Sequence, residues 1–141
     1  VRDPLSLIPS GLSLVTGVLD KMFGFWNLPE SKRMLFISRL YNALIELLLR
    51  FEKDWSNGNI DKSKVMIVHF DKMMNNFDEL MDDIIKFTNH ESTDILLNEI
   101  KITSEQQKTF KSKHKYDLEK FGLSEDKIKE DCKKYYETFL Y

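Results

Sequence analysis

The sequence predicts a mostly helical α/β fragment. Three observations lead there. Apolar residues recur at helical spacing over most of the 141 positions, the signature of amphipathic helices. One run, Lys64–Phe70, is instead short, continuous and rich in β-branched residues, as a strand buried on both faces of a parallel sheet is. The opening Val1-Arg2-Asp3-Pro4 reads as the end of a strand giving way to a loop. A doubly buried strand needs parallel neighbours, and the one other hint of a strand is Val1. The chain is therefore expected to be a piece of something larger.

The elements follow in order. Residues 1–10, with two prolines, predict a turn-like entry. From Gly11, the spacing of Leu12, Val15, Val18, Leu19 and Met22 predicts a helix ending near Gly24. Pro29 and Glu30 open a long helix over roughly 30–54. Ile37, Leu40, Tyr41, Leu44, Leu47, Leu48 and Phe51 form its stripe, while Leu35, Ile45 and Leu49 lie off it. That spread predicts burial on more than one side. Ser56-Asn57-Gly58-Asn59 is a turn, and the Lys64–Phe70 strand follows. Phe77, Leu80, Met81, Ile84 and Ile85 predict a helix over about 76–88. A short helix, 93–100, is expected to bury Ile95, Leu96 and Ile100. Ser104 to Gln107 has capping-box spacing and predicts another helical turn. Ser124 is the expected N-cap of the last helix, with Glu125 and Asp126 at its positive end. Ile128, Cys132, Tyr135, Tyr136 and Phe139 make its buried stripe.

Composition narrows the classes. An apolar share of 42% excludes a disordered or fibrous chain. A single cysteine, Cys132, excludes an intramolecular disulfide framework and a cysteine zinc site. No run of about 18 apolar residues exists to span a membrane. A net charge of −2 gives no global attraction to nucleic acid, so an anion needs a local basic site. No basic flank followed by an apolar core, the pattern of a secretory signal, stands at residues 1–10, and a piece of a larger chain would be expected to carry any such signal upstream.

Most candidate chemistry reads as structure. His69, His90 and His114 form no metal motif, because none pairs with another ligand at helical spacing. Asp78-Glu79 and Asp82-Asp83 are neighbours that point about 100° apart on a helix and do not converge. Two places read as anion sites. Arg2 and Ser10 set a guanidinium at a strand end and a hydroxyl where a helix begins. Together they would make a phosphate clamp in the crevice where α/β folds bind ligands, although the residues alone favour the capped turn. The alternative is a capped turn with Asp3 pairing Arg2. The second place is Lys111-Ser112-Lys113-His114-Lys115, a basic cluster able to touch an anion; its alternative is a solvated loop.

Taken in order, these pieces resemble the C-terminal half of a sulfotransferase that uses 3′-phosphoadenosine 5′-phosphosulfate (PAPS). Val1-Arg2-Asp3-Pro4 followed by Ser10 is similar to that family's 3′-phosphate motif. Val65 through Met73 is similar to its later strand, with Phe70 at the aromatic position and Asp71 at the acidic one. Ile84, Ile85 and Phe87 look like its following helix. The tail, from His114-Lys115-Tyr116 through Phe121-Gly122-Leu123-Ser124 to Tyr135-Tyr136, looks like the end of bacterial-type members. The resemblance spans nearly the whole chain. It implies the C-terminal portion of a P-loop-like parallel-sheet fold, with residues 1–141 as part of a single domain. It implies that Arg2 and Ser10 bind the 3′-phosphate, that Lys111 and Lys113 lie where another basic contact occurs, and that Phe70 lies near the adenine. The family's phosphosulfate loop and catalytic base have no counterpart here, so no catalytic residue and no metal is assigned. The piece alone is expected to be inactive.

The expected function is therefore transfer of a sulfuryl group from PAPS to an acceptor hydroxyl or amine, with this part supplying 3′-phosphate binding. The acceptor, whether carbohydrate, lipid or small molecule, is not legible. Neither is the compartment, which is cytoplasmic for a bacterial member and the Golgi membrane for a eukaryotic one. The competing expectation is a non-catalytic helical interaction module. A reading frame continuing upstream of Val1 into a strand and a Lys/Gly/Ser-rich turn separates the two.

Overall fold

The computed structural model describes residues 1–109 and 117–141. Among these described residues seven α-helices run in the order α1 Pro4–Phe23, α2 Glu30–Ser56, α3 Phe70–Asn75, α4 Phe77–Thr88, α5 Asp94–Thr109, α6 Glu125–Asp131 and α7 Lys133–Phe139. Short 3-10 turns lie at Phe25–Asn27, Lys62–Lys64 and Glu119–Phe121. No strand occurs among the described residues. This overturns the expected α/β fragment with its parallel sheet. Val65 and His69 have extended backbone, but among the described residues the stretch forms no ladder; a single rung joins it to Val1. A ladder needs a partner that runs alongside for several residues.

The chain divides into two compact units. The first holds Val1–Arg2 and residues 61–109; the second holds residues 3–60 and 117–141.

In the second unit α1 packs on α2 and α6, and α7 packs on α2. Ile8, Leu12 and Thr16 of α1, Ile37, Tyr41 and Leu48 of α2, and Ile128, Tyr135, Tyr136 and Phe139 are buried together with Cys132. The stripe read from the last helical segment is buried throughout. Ser124 caps it as expected, accepting a hydrogen bond from the Lys127 N–H. The segment nevertheless breaks into α6 and α7 at Cys132, whose φ of −101° and ψ of 12° leave the helical region.

Helix α1 starts at Pro4, not Gly11. Pro4 occupies the first helical position, where no N–H is needed. Asp3 caps the helix through its carboxylate on the Leu5 N–H, at 2.9 Å. Pro9 forfeits one backbone hydrogen bond inside the helix, and its ring is buried in the core. Gly24 ends α1 at φ 64°, a left-handed conformation suited to glycine. Helix α2 matches its expected span, but Leu47 is 64% exposed and Leu35 53%. Its burial is one-sided, against the expectation.

In the first unit α3, α4 and α5 pack on one another. Leu80, Ile100 and Ser104 are buried. The expected short helix and the capping-box turn merge into one helix, α5. Ile95, expected inside, is 78% exposed. Lys72 joins α3 to α4 through Asp83 at 2.6 Å.

Candidate phosphate-binding site

Arg2 lies in the first unit, next to the start of α3. The Val1 nitrogen donates to the Val68 carbonyl at 2.6 Å, and the Phe70 N–H donates to the Val1 carbonyl at 2.8 Å. These two bonds bracket His69 in the pattern of one parallel rung. They hold the backbone beside Arg2 against the residue that carries the Phe70 ring. The Arg2 guanidinium carbon sits 4.4 Å from the centroid of that ring, within cation–π range. Both side chains are half-buried.

A guanidinium contacts an arene through its flat π face and an anion through its N–H fork. The two contacts use different parts of the group. Carboxylates and phosphates both match that fork.

The other half of the expected clamp differs. Ser10 belongs to the second unit and lies inside α1, two turns from its start. The free N–H groups at that helix end go to Asp3. Its carboxylate takes the Leu5 N–H, and its carbonyl takes the Ser6 and Leu7 N–H groups, each at 2.9 Å. A carboxylate already occupies the positive end of α1. The helix-start argument for Ser10 therefore fails. The capped-turn alternative holds in its cap, and the same Asp3 carboxylate accepts from the Tyr136 hydroxyl. Lys111 and Lys113 lie outside the described residues.

Other polar clusters in the second unit are structural. Tyr41 donates to Asp131 at 2.6 Å, and Lys127 reaches the same carboxylate oxygen at 2.9 Å. The Glu52 carboxylate, buried between α2 and α7, accepts from Ser56 and Thr138 at 2.6 and 3.1 Å. An open groove of about 900 Å³ runs along α2 past Glu46, Arg50, Lys53 and Asp131. Its charges alternate in sign and select no anion. Among the described residues no group of three or more His, Cys, Asp or Glu side chains is placed to hold a metal. Among those same residues no helix is long and apolar enough to cross a membrane.

Comparison with known proteins finds no family model, no curated protein and no solved structure that matches the chain.

The stacking of Arg2 on Phe70 was not legible as a contact. The sequence offered an aromatic residue at position 70, and the resemblance placed it by the adenine. The residues lie 68 positions apart (70 − 2), and no local spacing rule reaches that far.

Proposed function

We propose that this chain supplies nucleotide binding to a PAPS-dependent sulfotransferase, with Arg2 as a ligand of the 3′-phosphate. The observation that carries the reading is the pinning of the Arg2 segment to residues 68–70, with the guanidinium over Phe70. Two motifs that the resemblance ties to one nucleotide thus meet in one unit, although the sequence separates them widely. Ser10 enters through the resemblance alone, as do Lys111 and Lys113.

The whole reaction moves a sulfuryl group from PAPS to an acceptor hydroxyl or amine. Positioning and charge neutralisation do most of the work in such in-line transfers. A 3′-phosphate contact is remote from the sulfur. It holds ground state and transition state alike, so its loss weakens binding more than it slows the chemical step. Calorimetry against adenosine 3′,5′-bisphosphate tests this. Arg2→Ala is expected to raise the dissociation constant by about tenfold or more, the equivalent of one lost charge-assisted contact. An unchanged constant overturns the assignment.

A helical interaction module is the second reading. The stripe Leu14, Val18 and Met22 on α1 supports it, since all three are exposed at four-residue spacing. Its signature is association through that stripe with no affinity for the bisphosphate.

A further inference from the structure

We propose that Phe70 is the positioning residue for the Arg2 guanidinium, holding it in the orientation that receives a phosphate. The inference rests on the reading of Arg2 as a phosphate ligand and adds a residue and a mechanism to it.

Three features carry it. First, the ring and the cation are 4.4 Å apart. Second, they are not two surface groups that happen to touch. The Phe70 N–H is bonded to the carbonyl of Val1, the residue before Arg2, at 2.8 Å. The backbone that carries the ring and the backbone that leads into the cation therefore move as one. Third, the backbone that carries the ring belongs to a packed helix. Phe70 opens α3, and α3 packs against α4 and α5.

The physical consequence concerns entropy. A free arginine side chain loses roughly 2 kcal/mol of rotamer freedom when it is fixed on a ligand. An arginine already resting on a ring has lost part of that freedom before the phosphate arrives, so binding is tighter for the same contact. The ring acts through Arg2 and touches no reacting atom. Leucine at position 70 keeps the apolar bulk and removes the π face. Tyrosine keeps the face.

The test uses two probes, adenosine 3′,5′-bisphosphate and adenosine 5′-monophosphate. Their ratio of dissociation constants isolates the 3′-phosphate. Wild type is expected to prefer the bisphosphate by about tenfold or more. Phe70→Leu should cut that preference about fivefold, the size of one lost cation–π contact; any contact of the ring with the adenine is common to both probes and cancels in the ratio. Phe70→Tyr should keep the preference within about twofold. Replacing Phe70 by 4-fluoro- and then pentafluorophenylalanine preserves the shape and drains the ring's negative face, so the preference should fall stepwise. That series decides the matter if Phe70→Leu does not fold. A wild type with no preference sinks both the parent reading and this one. A preference that survives Phe70→Leu or the fluorinated series overturns the role of Phe70 and leaves that of Arg2 standing.

Discussion

The hydroxyl of Tyr136 donates a hydrogen bond to the carboxylate of Asp3, joining the last helix to the N-cap of the first across 133 positions. The same carboxylate oxygen accepts the Leu5 N–H. One acidic group thus ends a helix and anchors a tertiary contact. Burial and the Asp3 hydrogen bond both push the Tyr136 phenol above its ordinary pKa. The cap of α1 is therefore coupled to the docking of α7.

Two substitutions follow from that coupling. Tyr136→Phe removes the phenol and leaves the cap, at a cost of about 1–2 kcal/mol, since the bond is charge-assisted. Asp3→Ala removes the cap and the phenol's acceptor, at a cost of about 1–2 kcal/mol. The double variant should cost less than the sum, because both singles break the same bond. Urea unfolding of the four proteins measures this. Strict additivity refutes the coupling.

Two leucines two positions apart on α1 give a sharper contrast. Leu12 is fully buried and Leu14 is 69% exposed. Leu12→Ala should cost about 2–5 kcal/mol through lost burial and a cavity. Leu14→Ala should stay within about 0.5 kcal/mol. Equal effects in urea titrations would show that the core face of α1 is misassigned.

What could be read from the sequence was local. The span of α2, the Ser124 cap and the stripe from Ile128 to Phe139 follow from spacing and from side chains within a turn of one another. The start of α1 was hidden because Pro4 and Pro9 both signal a turn, whereas Pro4 at the first helical position is compatible with a helix. The Lys64–Phe70 run was read as a strand from its β-branched residues. Strand formation depends on neighbours, and among the described residues a single rung to Val1 is no substitute for one. At the candidate site Arg2 was legible as a residue type. Its contact with Phe70 and the bond from Tyr136 to Asp3 were not, because both depend on chain segments brought together only by folding.

Asp131 contributes to the acid limb of stability. The Tyr41 hydroxyl first, and Lys127 second, hold its carboxyl below the usual carboxylate range. A depressed carboxylate contributes stability above its unfolded pKa near ~4 and loses it as pH falls through the folded value. Tyr41→Phe removes the largest cause. The gap in unfolding free energy between wild type and Tyr41→Phe should therefore be full at neutral pH and shrink below about pH 4. A gap independent of pH would detach Tyr41 from the Asp131 titration.

Cys132 should be silent until the second unit opens. Its side chain is fully buried where α6 meets α7. Burial, with smaller contributions from Asp131 and Asp3, pushes the thiol up to about 11. Only the thiolate is nucleophilic, so access and ionisation both oppose alkylation at pH 8. Iodoacetamide labelling should be slow in the native protein and accelerate with urea along the unfolding curve. The pH dependence has a definite sign. A raised thiol contributes stability that is complete below the unfolded value near ~8.5 and is lost as pH rises through about 11. Tyr41 and Tyr136, raised by burial and by their aspartate partners, act in the same direction at higher pH. Native-state labelling should therefore accelerate above about pH 9 faster than thiolate formation in a free cysteine accounts for, because the opening reaction becomes easier as the reagent's target ionises. Labelling at pH 8 at the rate of an exposed cysteine would place Cys132 at the surface and sink the account of the α6–α7 junction.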